Sequence, residues 1–240
     1  MNTSVQAITL SGLIWAFVPT VIVMAIMYGW ALKGGTALHA VARMLIQLLL
    51  IGYVLTYIFE TDHPGVIVFV LGVMLVAATW IALRPIKKKQ PHLYGKALGA
   101  IMVGGTLTLA LVTQVVLGVQ PWFLPRYVVP LAGMIFASSM NTVSLAAERF
   151  ESERERTRPY TDARNIALQS SLIPITNSLF AVGLVSLPGM MTGQILSGVS
   201  PLVAAKYQIV IMCSVFGASG LSAALYLLWA GGWREKPIQR

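Results

Sequence analysis

The residues of this chain that could do chemistry are few, and one group with metal-binding side chains lies in "FETDHPG", residues 59–65. Glu60, Asp62 and His63 place two carboxylates and an imidazole close together. Oxygen and nitrogen donors of this kind bind hard and borderline metal ions. A solvated turn before Pro64 is the alternative explanation. The spacing predicts at most a metal contact at the mouth of a pathway.

A second group consists of uncharged polar side chains inside long apolar stretches. Gln47, Gln114, Asn141 and Asn177 carry amides that need hydrogen-bond partners within a membrane. They should therefore face other helices or a cavity. Contacts between helices explain any one of them, and for Asn141 and Asn177 the lining of a substrate pathway is the functional alternative.

The stretch "VGLVSLPGMMTGQILSG", residues 182–198, has no charge and is rich in glycine. "MMTGQIL" is too short to span a membrane and too apolar for an exposed loop, which predicts a broken or re-entrant element. It would be either a gate or a packed hairpin. A gate would use Met190 and Met191, whose soft, flexible thioethers suit a closure that must repack. The other gate candidates are Pro188, Gly189, Gly193 and Gln194. Pro188 and Gly189 should end a span. Gly189 and Gly193 should allow tight backbone turns.

Charged residues are concentrated in "ERFESERERTRPYTDAR", residues 148–164. Opposite charges three residues apart favour an exposed helix, broken near Pro159. A solvated loop that only sets the membrane orientation is one explanation. The other is a docking surface for a cytoplasmic partner. The docking candidates are Glu148, Arg149, Arg154, Arg156, Arg158, Asp162 and Arg164.

Several kinds of chemistry are excluded by missing patterns. The sequence holds no phosphate-binding loop of the type G-x-x-x-x-G-K-[S/T] and no G-x-S-x-G nucleophile motif. His39, His63 and His92 lack zinc-ligand spacing to a partner. No charged residue lies at the centre of an apolar stretch, which argues against a proton-driven pump. An enzyme is therefore not expected.

Composition identifies the elements that must position these residues. The chain has 240 residues, of which 57% are hydrophobic and 10% charged, with mean hydropathy +0.76. These values predict an all-α, polytopic membrane protein. The single cysteine, Cys213, excludes an intramolecular disulfide and is expected to act as a small buried hydrophobe. The predicted spans are residues 8–32, 44–59, 65–83, 97–118, 127–147, 172–191 and 207–230, the second of which could begin before Arg43.

Orientation follows from the basic residues. About seven spans with the N-terminus outside and the C-terminus inside place all but two of the 17 Lys and Arg residues on the cytoplasmic side. The two exceptions are Arg126 and Lys206. The net charge of +9 is therefore explained by membrane topology, and no nucleic-acid partner is expected.

Three stretches carry a resemblance to a known family. The longest is "IPITNSLFAVGLVSLPGMMTGQILSGVSPLVAAKYQIVIM", residues 173–212, and the others are "RMLIQLLLIGYVL", residues 43–55, and "MNTVSLAAERF", residues 140–150. Together they resemble the FetB (YbbM) family of ABC-transporter permeases. Bacterial members are linked to iron export. Plant relatives, the aluminium-sensitivity and STAR-type proteins, are linked to metal tolerance and to UDP-glucose transport.

The resemblance implies a single permease domain over residues 1–240, in a multi-pass protein of the bacterial inner membrane. It also implies a homodimer, a coupling loop at about residues 148–171 and a separate ATPase subunit that binds ATP, with no cofactor on this chain. One departure is a shortened coupling segment, of which only "ARNIAL", residues 163–168, is present. Two alternatives to metal export are a nucleotide-sugar exporter, disfavoured because the spans hold no basic residue, and a membrane scaffold that does not transport.

Overall fold

A computed structural model describes residues 9–30, 32, 34–61, 63–86 and 91–231. Within these ranges the secondary structure is helical, with no strand and a single isolated bridge between Val182 and Ser186. The all-α prediction is therefore confirmed. The chain divides into two compact units, Met1–Thr61 and Asp62–Arg240.

The first unit contains three helices, α1 (Leu10–Ala16), α2 (Val18–Gly29) and α3 (Gly34–Phe59). The side chain of Thr9 caps α1 by accepting a hydrogen bond from the Gly12 amide at 3.2 Å. A proline in the first turn of α2 explains why the first predicted span is two helices rather than one. Because α3 begins at Gly34, the second span does begin before Arg43.

The second unit contains the remaining helices. They are α4 (Pro64–Ala82), α5 (Pro91–Ala110), α6 (Pro125–Glu155), α7 (Tyr160–Ala181), α8 (Gly189–Leu196) and α9 (Pro201–Ala230), and α5 continues as a π-helical segment, Leu111–Val116. Proline opens α4, α6 and α9, where its fixed φ suits the first helical position and its missing N–H is not needed.

Among the described residues, 6 helices are long and apolar enough to cross a membrane. They are Ser11–Gly29, Gly34–Phe59, Pro64–Ala82, Pro91–Val116, Pro125–Glu155 and Pro201–Ala230. Helix α7, which overlaps the sixth predicted span, has 22 residues, and its first turn carries Asp162. A polytopic membrane fold is confirmed, while the count of seven spans and the orientation stay predictions.

Close packing in the second unit depends on small residues between α5, α6 and α9. A side chain at Gly104 would meet the Ser222 Oγ at 2.5 Å and the Ser222 backbone nitrogen at 2.9 Å. The hydroxyls of Ser138 and Ser219 form a hydrogen bond of 2.7 Å between α6 and α9. Small residues at such positions let helix backbones approach in a membrane.

Two predicted boundaries are wrong. The sixth span does not cover residues 172–191, because α7 ends at Ala181, where Val182 takes an extended conformation and Gly183 has φ +84°. Residues 148–171 are not a loop either. Helix α6 extends to Glu155 and α7 begins at Tyr160, so only residues 156–159 connect them. The predicted break near Pro159 is confirmed.

Candidate functional site

The most highly organised polar region is the elbow, which we define as residues 149–160, where α6 turns into α7. Under the predicted orientation it lies at the cytoplasmic end of the bundle. Helix α6 ends at Glu155, and the chain reverses through Thr157, whose φ of 58° lies in the left-handed region. A β-branched residue rarely adopts this conformation. The turn must therefore be held by contacts elsewhere in the elbow.

Those contacts converge on Glu153, whose side chain is 1% exposed. Its carboxylate lies 2.8 Å from Arg149 Nη2, 2.9 Å from Arg158 Nε and 3.6 Å from Arg156 Nη1. A buried carboxylate is strongly destabilising unless it is paired. Three guanidinium groups surround this one carboxylate as ion pairs. The elbow as a whole has four arginines and three glutamates, so its net charge is only +1.

Tyr160 fixes the elbow to the end of α9. Its hydroxyl donates a hydrogen bond to the Leu227 carbonyl at 3.1 Å, and its ring meets the Phe150 ring edge-on, with centroids 5.9 Å apart. The guanidinium of Arg164 lies over the same ring, 5.7 Å from its centroid. The elbow is therefore a structured corner packed on a membrane helix.

The sequence-predicted docking residues divide into two sets. Arg149, Arg156 and Arg158 contact Glu153, and Arg164 packs on Tyr160. The others are exposed, namely Glu148, Arg154 and Asp162. Reversing Arg156 or Arg158 to Glu would place a carboxylate against buried Glu153, so these two arginines are not simply solvated.

Glu153 is the residue that sequence reasoning missed. In a segment of alternating charges it looks like any other solvated glutamate. A signal was present, since Arg149 precedes it by four residues and Arg156 follows it by three, and both spacings bring side chains together on a helix. Burial was not readable from that spacing, because it depends on how α7 folds back.

At the other end of the second unit, a tight turn joins α7 to α8. The amides of Val185 and Ser186 both donate to the Ala181 carbonyl, at 2.8 and 3.1 Å. Gly183 supplies the left-handed conformation that this turn requires. The predicted turn positions Gly189 and Gly193 instead lie inside α8, and Pro188 caps that helix rather than ending α7.

Helix α8 lies between two cavities. Met190 and Gln194 line the first, of about 300 Å³, together with Arg126, Tyr127, Pro130 and Tyr207. Met191 lines the second, of about 350 Å³, with residues of α7 and α9. The adjacent methionines therefore face different spaces. Pro188, Gly189 and Gly193 line neither of these two cavities, and a side chain at Gly193 would meet nothing within 4 Å.

Cys213 of α9 lines the second cavity as well. The expectation that it is a buried hydrophobe is wrong for the single chain, in which it is exposed. The apolar run around it indicated a membrane helix correctly, but it did not show which face of that helix neighbouring helices cover. The thiol is therefore accessible from the space between α7, α8 and α9.

The remaining candidates are not brought together. Asn141 and Asn177 are exposed in the single chain, and neither side-chain amide forms a hydrogen bond within the described part of the protein. In the candidate metal group, Glu60 and His63 are exposed and Asp62 lies outside the described residues. Among described residues no cluster of three His, Cys, Asp or Glu side chains could hold a metal ion, and the Glu60–Asp62–His63 site stays a prediction.

Known proteins resemble this chain over most of its length. Residues 10–231 match the profile of the family described as "Uncharacterised protein family (UPF0014)". A UPF0014 membrane protein of Synechocystis is 36% identical over 78% of this chain and 78% of its own length. "Probable iron export permease protein FetB" of Escherichia coli is 34% identical over 80% of this chain and 79% of its own.

A plant protein shows the same degree of similarity. "Protein ALUMINUM SENSITIVE 3" of Arabidopsis thaliana is 32% identical over 81% of this chain and 76% of its own length. No solved structure matches the chain. Because the profile and the relatives cover most of the sequence, and because the described helices are those of a polytopic membrane protein, the chain belongs to the UPF0014 family of multi-pass inner-membrane proteins, which includes the FetB permease.

Proposed function

We propose that this chain is the permease subunit of an ABC transporter that exports a metal ion across the inner membrane, driven by a separate ATPase subunit. The observation that carries the proposal is the elbow. It joins two long helices, is anchored to a third through Tyr160 and Leu227, and places three partly exposed arginine side chains around buried Glu153. A rigid charged corner of this kind suits the docking of a cytoplasmic partner.

The energy source is assigned to a partner because the sequence holds no phosphate-binding loop. The partner's contact surface should carry carboxylates. The side chains of Arg149, Arg156 and Arg158 are 40%, 62% and 49% exposed, so each can contact a partner while it contacts Glu153. Charge pairs at the rim of an interface chiefly set orientation and association rate.

Exposed amides support a homodimer. Asn141 lies on α6 and Asn177 on α7, each accessible in the single chain. Lipid offers an amide no hydrogen-bond partner, so an exposed asparagine within a span is unfavourable. A second copy of the chain, or a water-filled pathway between two copies, would provide partners for both residues.

The metal substrate is proposed from similarity. The Escherichia coli relative is named as a probable iron export permease. Iron is therefore the first ion to test. Glu60, Asp62 and His63 would contact it at the outer mouth of the pathway, where carboxylates and imidazole are suitable ligands.

One observation favours a second candidate, an exporter of an anionic nucleotide sugar. The cavity beside α8 contains Arg126 with two tyrosines, Tyr127 and Tyr207. A guanidinium and phenols suit a phosphorylated ligand. The sequence argument that basic residues are missing from the pathway does not cover Arg126, because it lies just before the predicted fifth span. Stimulation of ATP hydrolysis by UDP-glucose rather than by iron would favour this candidate.

The test is coupling in proteoliposomes that contain the permease and its ATPase. Glu153→Gln keeps the shape of the side chain but removes the charge that holds the three arginines. We expect it to reduce the permease-dependent ATP hydrolysis and iron export together, while the permease still inserts and folds. The matched control is Glu155→Gln at the end of the same helix. Its side chain is exposed and it is not one of the docking candidates, so both rates should stay unchanged.

Two results would contradict the proposal. One is a chain that binds no ATPase in a pulldown, which would favour the scaffold alternative. The other is full coupling in Glu153→Gln, which would show that the elbow does not transmit the ATPase signal.

A further inference from the structure

The cavity of about 350 Å³ between α7, α8 and α9 contains an unusual concentration of sulfur. Met191 of α8 and Met212 and Cys213 of α9 line it. The other lining residues are uncharged, namely Leu179, Val182, Gly183, Ala205, Gln208 and Ile209. At about 1.5 Å of rise per residue, Cys213 lies about 18 Å along α9 from Pro201, near the middle of a 30-residue helix. Met212 and Cys213 therefore lie near the middle of a helix that is long enough to cross a membrane.

One lining residue is a buried amide. Gln208 lies four residues before Met212 on α9 and is 5% exposed. Its Oε1 atom is buried and has no hydrogen-bond partner within the described residues. Leaving an amide oxygen unpaired in a buried site is destabilising, because the water that it loses is not replaced.

The donor atoms decide which ligand fits. Thioether and thiol sulfur are soft ligands that select copper(I) and disfavour hard ions such as magnesium or ferric iron. No lining residue carries a carboxylate, which a hard ion would need.

We propose that this cavity binds a soft monovalent metal ion, copper(I) or its analogue silver(I), through the sulfur atoms of Met191, Met212 and Cys213. Binding forms a bond from the metal ion to the Cys213 thiolate, and the thiol proton leaves to solvent. One positive charge enters and one leaves, so the site gains no net charge in the membrane, which limits the electrostatic cost of occupancy. The Gln208 amide supplies a dipole at its edge.

This inference rests on the proposed function only in placing the site on a transport pathway. Binding itself requires no ATPase. Helix α8 provides one wall of the cavity, so occupancy couples the ion to the segment that the sequence predicts to be a gate. The site goes beyond iron export, because its donors are softer than those that iron(III) prefers.

The experiment uses the purified full-length permease in detergent, without an ATPase. Cys213 is the only cysteine in the chain, so alkylation by a maleimide reports on one thiol. We expect silver(I) to protect Cys213 from alkylation, and magnesium to give no protection. Met191→Leu and Met212→Leu should each raise the silver concentration needed for protection by at least about 10-fold, the scale on which metal affinity responds to altered ligand sets.

The matched control is Met190→Leu, since Met190 is adjacent in sequence but lines the other cavity. In this variant silver should protect the thiol as it does in the unchanged chain. The proposal would be overturned if the same silver concentration protected the thiol in Met190→Leu, Met191→Leu and Met212→Leu. Silver would then be bound by the thiol alone, without the methionines. A thiol that stays unreactive without metal would also overturn it, because another occupant such as lipid would fill the cavity. If this site fails while Glu153→Gln still uncouples transport, the proposed function stands.

Discussion

Arg158→Glu should destabilise the protein through buried Glu153. The Arg158 Nε lies 2.9 Å from Glu153 Oε2, and the two side chains are 49% and 1% exposed. Unit charges about 4 Å apart interact by about 4 kcal/mol at an effective dielectric constant of about 20, and by about 1 kcal/mol in water. The half-exposed arginine brings the interaction toward the lower value. Replacing attraction by repulsion should therefore lower the free energy of unfolding by about 2 kcal/mol.

A double-mutant cycle separates this interaction from general damage to the elbow. In a Glu153→Gln background no buried charge remains to repel the introduced carboxylate, so Arg158→Glu should destabilise less, with an interaction energy of about 1–2 kcal/mol. Thermal unfolding in detergent provides the measurement. In the control cycle with Glu148→Gln, the effects should add. Additivity in the Glu153 cycle would refute the assignment of Glu153 as the charge that organises the elbow.

Three further predictions concern the rest of the chain. Gly104→Ala should lower the free energy of unfolding by about 1–3 kcal/mol, because the new methyl group meets the α9 backbone. Gly72→Ala adds a methyl group to open space and should leave that free energy unchanged. Equal melting temperatures for the two variants would contradict this packing. The side chain introduced by Gly193→Leu also enters open space in the single chain, so the variant should fold. If α8 closes the pathway, the variant should lose transport and retain part of the ATP hydrolysis. Normal transport in the variant would exclude a gate at α8. A reporter fused after Arg240 should be cytoplasmic and one inserted near Asp62 external, and the reverse result would overturn the orientation.

Much of the fold could be predicted from composition and apolar length. Apolar length predicts the spans 44–59 and 207–230. The helices that contain them, α3 and α9, begin earlier, at Gly34 and Pro201, in sequence that includes Arg43 and Lys206. The boundaries of α7 could not be predicted in this way, because its first half is polar and resembles a loop. Packing on α6 and α9 keeps that half helical. The turn after Ala181 depends on Gly183, one of several glycines in that stretch, and the sequence does not say which one takes a positive φ.

The candidate site was less predictable because contacts, rather than residue types, decide it. The sequence identified the arginines of the elbow but not the buried carboxylate that they surround. It placed Met190 and Met191 in one gate, whereas the two side chains line different cavities on either side of α8. The sulfur set of Met191, Met212 and Cys213 joins residues from two separate helices and needs the packing of α8 on α9.

In the proposed transporter, α6 would act as a lever. Its 31 residues give a rod of about 46 Å, long enough to run from one membrane face to the elbow beyond the other. Its axial hydrogen bonds are continuous except at Pro130, which has no N–H to donate to the Arg126 carbonyl. A movement of the elbow in that transporter would pass along α6, and Pro130 is the joint at which the helix would bend. The joint lies in the wall of the cavity that contains Met190 and Gln194, so bending there changes the width of the space beside α8.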